Sequence, residues 1–103
     1  IFLVKFTIEI NKDNVIMDNY NIEYIPGKND QPNQLIYSGE LTFNYIQYIK
    51  DETVEAINPN QSLSILVKDV DMLDLSFIQL LISMKHMNPD NSINLDVNKD
   101  VLD

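Results

Sequence analysis

The residues with the clearest chemical potential are three aspartates that follow a short apolar run. Asp69, Asp71 and Asp74 come after Ile65–Val67, which has the length and composition of a central strand. A carboxylate at such a position can attack a phosphorus atom or hold Mg²⁺ through its oxygens. The spacing is therefore compatible with two kinds of site, one for phosphate transfer and one for a bound cation.

Neither kind of site is complete in the sequence. Asp69-Val70-Asp71 resembles the start of phosphatases of the haloacid dehalogenase type, but Leu73 stands where those enzymes usually carry a hydroxyl residue. The rest of the chain leaves little room for the lysine and further acids that they need. An EF-hand would require a loop glycine and a closing glutamate, which this spacing lacks. The favoured interpretation is a solvated loop between a strand and a helix, with acids near the positive end of the helix dipole.

Other catalytic arrangements are excluded by the residues that are present. Gly27 and Gly39 are the only glycines, so neither a GxGxxG loop nor a P-loop can be assembled. His86 is the only histidine, and no Gly-x-Ser-x-Gly elbow provides a serine for it. Its place near the end of a predicted helix suits the helix dipole. Without cysteine there is no thiol nucleophile and no disulfide. We predict a protein that is not an enzyme and binds no cofactor and no metal.

The charge of the chain limits its partners. Seven lysines and no arginine stand against sixteen acids, which gives a net charge of -9. Because nucleic-acid affinity rests on lysine and arginine, we expect no nucleic-acid partner. The longest apolar run, Ile1–Val4, is far short of the roughly 20 residues that span a bilayer. We therefore expect no membrane insertion and a cytoplasmic location.

The hydrophobic pattern predicts one domain, 1–103, built from strands and two amphipathic helices. Thr42 is the predicted cap of the first helix, with Leu41 and Ile46 as a hydrophobic staple. Its apolar stripe is Ile46, Ile49, Thr53 and Ile57. The second helix, Phe77–Met87, buries Phe77, Leu80, Leu81 and Met84, with Ile78 and Ile82 beside them. The predicted strands are Phe6–Ile10, Val15–Met17, Ile22–Ile25, Leu63–Val67 and Ile93–Val97, together with Gln34–Leu41, which is predicted as a strand that runs into a turn at Ser38-Gly39.

From residue 34 onward strands alternate with helices, and Asn98–Asp103 looks like the start of a further helix. Such alternation requires crossover connections between parallel neighbours, with helices covering the sheet. The predicted fold class is therefore α/β, with a mixed central sheet and helices packed on it. The pattern stops where a last helix should build, so we expect a truncated C-terminus.

Met72–Leu81 and Tyr37–Thr42 resemble the signature segments of STAS domains, the family of sulfate transporters and anti-sigma-factor antagonists. Met72–Leu81 is similar to the family loop that reads apolar-Asp-Ser/Leu-Ser/Ala-Gly-Leu-x-Leu-Leu, with Phe77 in place of the glycine. Tyr37–Thr42 looks like the Ser/Thr-Gly-Glu-Leu-Thr/Asp segment before the first family helix. The resemblance implies a STAS-like core over 21–103 and an N-terminal strand-like extension over 1–20.

The resemblance implies a bacterial signalling module that binds other proteins and switches between them. Ser76 corresponds to the serine that a partner kinase phosphorylates in anti-sigma-factor antagonists. The expected partner is an anti-sigma factor or related serine kinase, and the alternative is the ATPase of an ABC transport complex for phospholipids. A homodimer is also compatible with the resemblance. The expected partner-binding residues are Asp71, Asp74, Leu75, Ser76, Phe77 and Gln79.

Ser76 also has a structural interpretation. Ser76 and Gln79 have the spacing of a capping box, with Leu75 and Leu80 as a staple. Asp74 could equally be the cap, which would leave the Ser76 hydroxyl exposed on the first turn. A phosphate on Ser76 would add about -1.5 to -2 charge near acids, with no arginine in the chain to bind it. We expect repulsion to dominate, so that the unmodified protein binds its partner and the phosphorylated protein releases it.

Overall fold

The computed structural model describes residues 19–58 and 61–97. The strands predicted at Phe6–Ile10 and Val15–Met17 and the helix predicted from Asn98 lie outside the described residues. The elements within the described ranges are, in chain order, β1 (Tyr20–Ile25), β2 (Asn33–Leu41), α1 (Ile46–Ala56), β3 (Leu63–Leu73), α2 (Leu75–Met87) and β4 (Ser92–Leu95).

The described residues form a four-stranded mixed sheet in the order β1-β2-β3-β4. The β1–β2 pair is antiparallel, whereas the β2–β3 and β3–β4 pairs are parallel. The two parallel pairs are joined by α1 and α2, and crossovers of one hand that step in one direction place both helices on one face of the sheet. The predicted α/β class with a mixed sheet is confirmed.

The core lies between this sheet face and the two helices. Alternate residues of β2 and β3 face it, among them the fully buried Leu35, Tyr37 and Val67. The predicted stripe of α2 is confirmed, because Phe77, Leu80, Leu81 and Met84 are buried. The stripe of α1 is confirmed only for Ile49 and Thr53, because Ile46 and Ile57 are partly buried, Ile57 follows the end of the helix, and Ala56 is buried instead. The second stripe is narrower than expected, since Ile82 is 51% exposed. Burial raises the pKa of the Tyr37 phenol far above its usual value, so the group is neutral in its 2.8 Å hydrogen bond with Thr53 Oγ1.

Strand β3 continues beyond its predicted end at Val67, and this additional part contains two β-bulges. Tyr37 pairs with Val67, but Gly39 pairs with Val70, so β3 contains one extra residue in that interval. A second extra residue follows before the pairing of Glu40 with Met72. Each bulge breaks the period-2 pattern from which strands are recognised. The expectation that Asp69 and Asp71 lie in a loop was therefore wrong, because both belong to β3.

Strand β2 likewise passes through Ser38 and Gly39 without the predicted turn, and ends at Leu41. The predicted cap of α1 was also wrong. Thr42 is buried and its hydroxyl donates to Glu40 Oε2 at 2.9 Å, while its carbonyl accepts from Tyr45 N at 3.0 Å. This turn delays the start of α1 to Ile46, and the N-cap residue Tyr45 makes no side-chain capping bond.

A buried amide fixes the far end of α2 to the sheet. Asn91 is 3% exposed, its Oδ1 accepts from Leu63 N at 2.7 Å, and its Nδ2 donates to Met84 O at 2.8 Å. The Asn91 side chain thus hydrogen-bonds to a backbone N–H at the start of β3 and to a backbone carbonyl in the last turn of α2. Lys85 Nζ strengthens the same connection by donating to the carbonyl oxygens of Pro89 and Asn91.

We expect Asn91→Ala to lower the free energy of unfolding by about 2 kcal/mol, because the buried N–H of Leu63 loses the side-chain acceptor that Asn91 provides, and the carbonyl of Met84 keeps only its bond from Asn88 N. The exposed Asn94, on β4, provides the matched control. Asn94→Ala should change the stability by less than about 0.5 kcal/mol. Urea denaturation measures both values, and equal effects of the two substitutions would contradict the structural role assigned to Asn91.

Candidate functional site

Ser76 lies on the first turn of α2, directly after the C-terminal end of β3. The helix is capped by Asp74, whose Oδ1 accepts from Ser76 N at 3.0 Å. The Ser76 hydroxyl donates to the same Oδ1 at 2.5 Å. Of the two caps that the sequence left open, Asp74 is therefore the one that forms, and Ser76 is one of the groups it holds. The hydrophobic staple of Leu75 and Leu80, which was expected with Ser76 as the cap, does not form, because Leu75 is 66% exposed.

The Asp74 carboxylate also holds the loop that follows β2. Its Oδ2 accepts from Phe43 N at 2.9 Å, and the backbone N–H of Asp74 donates to Leu41 O at 3.2 Å. The ends of the neighbouring parallel strands β2 and β3 are thus joined through one residue. The two segments on which the STAS resemblance rests, Tyr37–Thr42 and Met72–Leu81, are therefore in contact through the bond from Asp74 N to Leu41 O.

The electrostatics of Asp74 follow from these hydrogen bonds. Partial burial raises the pKa of the carboxyl group, but the Ser76 hydroxyl and the backbone N–H groups of Phe43, Ser76 and Phe77 outweigh that effect. The pKa of Asp74 is therefore below its ordinary value. The carboxylate is the form that both the helix and the loop require.

This lowered pKa predicts how stability depends on pH. A carboxyl group with a lower pKa in the folded than in the unfolded state stabilises the fold above its unfolded pKa of about 4, and this contribution is lost as the pH falls through the folded pKa. We expect the stability difference between wild type and Asp74→Asn to be constant above about pH 5 and to shrink below about pH 4. Chemical denaturation across this range measures the difference. A difference that does not change with pH would contradict the assignment.

Apolar side chains are exposed around this carboxylate. Phe43 is 69% exposed, Leu75 is 66% exposed and Met72 is 49% exposed. Phe43 and Leu75 flank Asp74 on the loop and on the helix, and Met72 lies two residues before it on β3. We call the group formed by Phe43, Met72, Asp74, Leu75, Ser76 and Gln79 the Ser76 surface.

The remaining predicted site residues are placed as follows. Asp71 and Gln79 are exposed, Asp71 on β3 and Gln79 on α2. Phe77 is fully buried and packs edge-to-face on Tyr37 with ring centroids 5.2 Å apart, so it offers no side-chain surface to a partner. Sequence reasoning missed Phe43 and Met72, whose exposure follows from how the ends of β2 and β3 meet. An aromatic residue in the turn before α1 was the available signal for Phe43.

The three aspartates of the sequence do not form a metal site. Asp69 and Asp71 lie in or beside the bulges of β3, whereas Asp74 faces the start of α2. Within residues 19–58 and 61–97, no three acidic or histidine side chains converge on a point where a metal ion could bind. His86 is exposed in the last turn of α2, as its dipole interpretation requires.

The opposite end of the sheet carries a polar cleft of about 310 Å³. It is lined by the turn over residues 27–33 and by Gln61 and Ser62, next to the first residues of β2 and β3.

In the described part of the chain, neither helix has the length and apolar character needed to cross a membrane. No protein-family model matches the chain, and no curated protein matches it.

The arrangement around Ser76 can therefore do two things chemically. It presents exposed apolar side chains next to acidic groups, and exposed apolar side chains can pack against a complementary surface. It also presents a hydroxyl group on the first turn of a helix, held by a single carboxylate. A change at that hydroxyl acts directly on the capping carboxylate and on the loop that the carboxylate holds.

Proposed function

We propose that this protein is a non-catalytic interaction module of the STAS type, which binds a protein partner through the Ser76 surface and releases it when Ser76 is phosphorylated. The observation that carries the proposal is the shared Asp74 carboxylate, which accepts from both the Ser76 hydroxyl and the backbone N–H of the exposed Phe43. The mixed β–α sheet and the two signature segments, which meet at this surface, support the same function.

The composition of the surface defines the partner. Phe43 and Leu75 offer two large apolar side chains for a complementary pocket, and aromatic residues often dominate binding energy in such interfaces. Glu40, Asp71 and Asp74 give the same end of the sheet a negative charge. A partner with an apolar pocket bordered by lysine or arginine is therefore complementary in both shape and charge. An anti-sigma factor or related serine kinase is the partner that we propose.

Phosphorylation opposes this binding by electrostatics. A phosphoserine carries about -1.5 to -2 charge at pH 7, and it would be attached to an oxygen that now donates to a carboxylate. Two like charges about 4 Å apart repel by roughly 1 kcal/mol in bulk water and roughly 4 kcal/mol near a protein surface. No arginine is present in the chain to offset the added charge. Phosphate on Ser76 therefore disrupts the surface that the unmodified hydroxyl supports.

The test is affinity capture from cells that express the chain, with four immobilised proteins. Wild type and Ser76→Ala should retain the partner, and Ser76→Asp should lose it. Ser83→Asp provides the matched control, because Ser83 is an exposed serine of the same helix whose hydroxyl bonds to Gln79 O at 3.0 Å. Mass spectrometry of the captured proteins identifies the partner, and the same analysis of the native chain reports phosphate on Ser76.

The outcomes separate the proposal from its alternative. A serine kinase or anti-sigma factor that is retained by wild type and lost with Ser76→Asp supports the proposal. An ABC ATPase captured together with a permease indicates instead a subunit of a transport complex, in which the same surface would serve a structural role. Equal capture by Ser76→Asp and wild type contradicts control through Ser76.

A further inference from the structure

One carboxylate serves both the helix that carries Ser76 and the loop that carries Phe43. Oδ1 of Asp74 accepts from the backbone and the hydroxyl of Ser76, and Oδ2 accepts from Phe43 N at 2.9 Å. A carboxylate is planar and rigid, so its two oxygens move together when the side chain rotates. A displacement that frees Oδ1 from Ser76 therefore also takes Oδ2 away from Phe43.

The loop that holds Phe43 depends on this bond for its position. It is a turn closed by the hydrogen bond from Tyr45 N to Thr42 O, and its start is held by the bond from Asp74 N to Leu41 O. Between these points the bond from Phe43 N to Asp74 links the loop to the start of α2. The aromatic ring of Phe43 projects from this loop and is the most exposed of the large apolar side chains at this end of the sheet.

We propose that Asp74 is a latch that transmits phosphorylation of Ser76 to Phe43, and that the phosphorylated protein thereby displaces the aromatic anchor that its partner binds. This inference rests on the proposed function, since it specifies how modification of the same site controls binding. The partner surface that it requires is an apolar pocket for the Phe43 ring, bordered by basic residues.

The chemical step defines what drives the latch. A kinase transfers the γ-phosphoryl group of a nucleoside triphosphate to Ser76, so that the Oγ–H bond breaks, an Oγ–P bond forms, the proton passes to solvent and a nucleoside diphosphate leaves. The ester oxygen no longer donates to Asp74. The phosphate oxygens accept from the N–H groups at the start of α2, where a helix favours negative charge. Asp74 thus loses a donor, meets a competing acceptor and is repelled by a like charge.

The test is amide hydrogen exchange at Phe43, measured by NMR on three forms of the full chain. The forms are unmodified, phosphorylated at Ser76 and phosphorylated at Ser83, with phosphoserine incorporated at the chosen position. The Phe43 amide should exchange about tenfold faster when Ser76 is phosphorylated. Phosphoserine at position 83 adds the same charge to the same helix away from Asp74, and it should change the rate by less than about twofold.

Asp74→Ala completes the design. Its Phe43 amide should exchange at the faster rate before modification, and phosphorylation of Ser76 should add nothing further. If circular dichroism shows that this variant does not fold, the comparison of the two phosphorylated forms decides the question by itself.

Unchanged exchange at Phe43 after phosphorylation of Ser76 would overturn the latch, even where binding of a partner is lost by repulsion alone. A partner that binds the Ser76-phosphorylated chain as tightly as the unmodified one would overturn the proposed function, whatever the exchange rate of Phe43. The two failures are therefore distinguishable.

Discussion

Phe77→Ala is expected to lower the free energy of unfolding by about 3 to 5 kcal/mol, the range found for truncating a buried phenylalanine. Phe77 is fully buried, and its ring packs at 69° to the ring of Tyr37 in the centre of the core. Truncation would leave a cavity between α2 and the sheet and remove an aromatic contact. Urea denaturation followed by circular dichroism measures the loss.

Ile82→Ala is the matched control, because Ile82 belongs to the same helix but is 51% exposed. It should cost less than about 1 kcal/mol, since about half of Ile82 is already in contact with solvent. Equal losses for the two substitutions would contradict the placement of Phe77 in the core. The same placement predicts that Phe77→Leu, which keeps most of the apolar volume, retains the partner captured by wild type.

Gly39→Ala is expected to lower the free energy of unfolding by about 3 kcal/mol, from backbone strain and overpacking together. Gly39 has a φ of +88°, a region that disfavours a side chain. A Cβ at this position would come within 2.3 Å of Asn19 O. That oxygen accepts from Glu40 N at 2.8 Å, so it cannot move away without the loss of a hydrogen bond.

The neighbouring Ser38 gives the control for this prediction. It is half-buried and precedes Gly39 in β2, and Ser38→Ala should change the stability by less than about 0.5 kcal/mol. Thermal or urea unfolding of the two variants under one set of conditions measures both effects. A loss for Gly39→Ala no larger than that for Ser38→Ala would show that the bulged ladder tolerates a side chain at position 39.

The order of elements and the buried faces of both helices could be predicted because they depend on local periodicity. Ile49 and Thr53, and likewise Phe77 and Leu81, lie at helical spacing, and the structure buries all four. The length of β3 could not be predicted in the same way. Its two bulges break the alternation after Val67, and a bulge is specified by the pairing with β2 rather than by the strand itself.

The candidate site was predictable only in part, for a similar reason. The sequence placed Ser76 on the first turn of a helix and left two caps open, Asp74 and Ser76 itself. The choice between them depends on Phe43 N, a donor that lies thirty-one residues away along the chain and reaches Asp74 only because β2 and β3 end side by side. The burial of Asn91 was missed because it too requires a distant partner, Leu63 N on β3.

The same contacts change which acidic residues are expected to repel a phosphate on Ser76. The sequence suggested that a phosphate on Ser76 would meet Asp69, Asp71 and Asp74 in one loop. In the structure Asp69 and Asp71 belong to β3, and Asp74 alone of these three hydrogen-bonds to Ser76 within the described ranges. The repulsion expected from a phosphate on Ser76 is thus concentrated on Asp74, the carboxylate that caps α2 and accepts from Phe43 N.

The measurement that tests the central claim most directly is the dissociation constant of the captured partner for Ser76→Asp and for Ser83→Asp, each compared with wild type. Control through the Ser76 surface predicts that Ser76→Asp binds at least about tenfold more weakly, whereas Ser83→Asp binds within about twofold of wild type. Equal dissociation constants for Ser76→Asp and wild type, with the partner's specificity confirmed by loss of binding in Leu75→Asp, would contradict the claim that Ser76 controls binding.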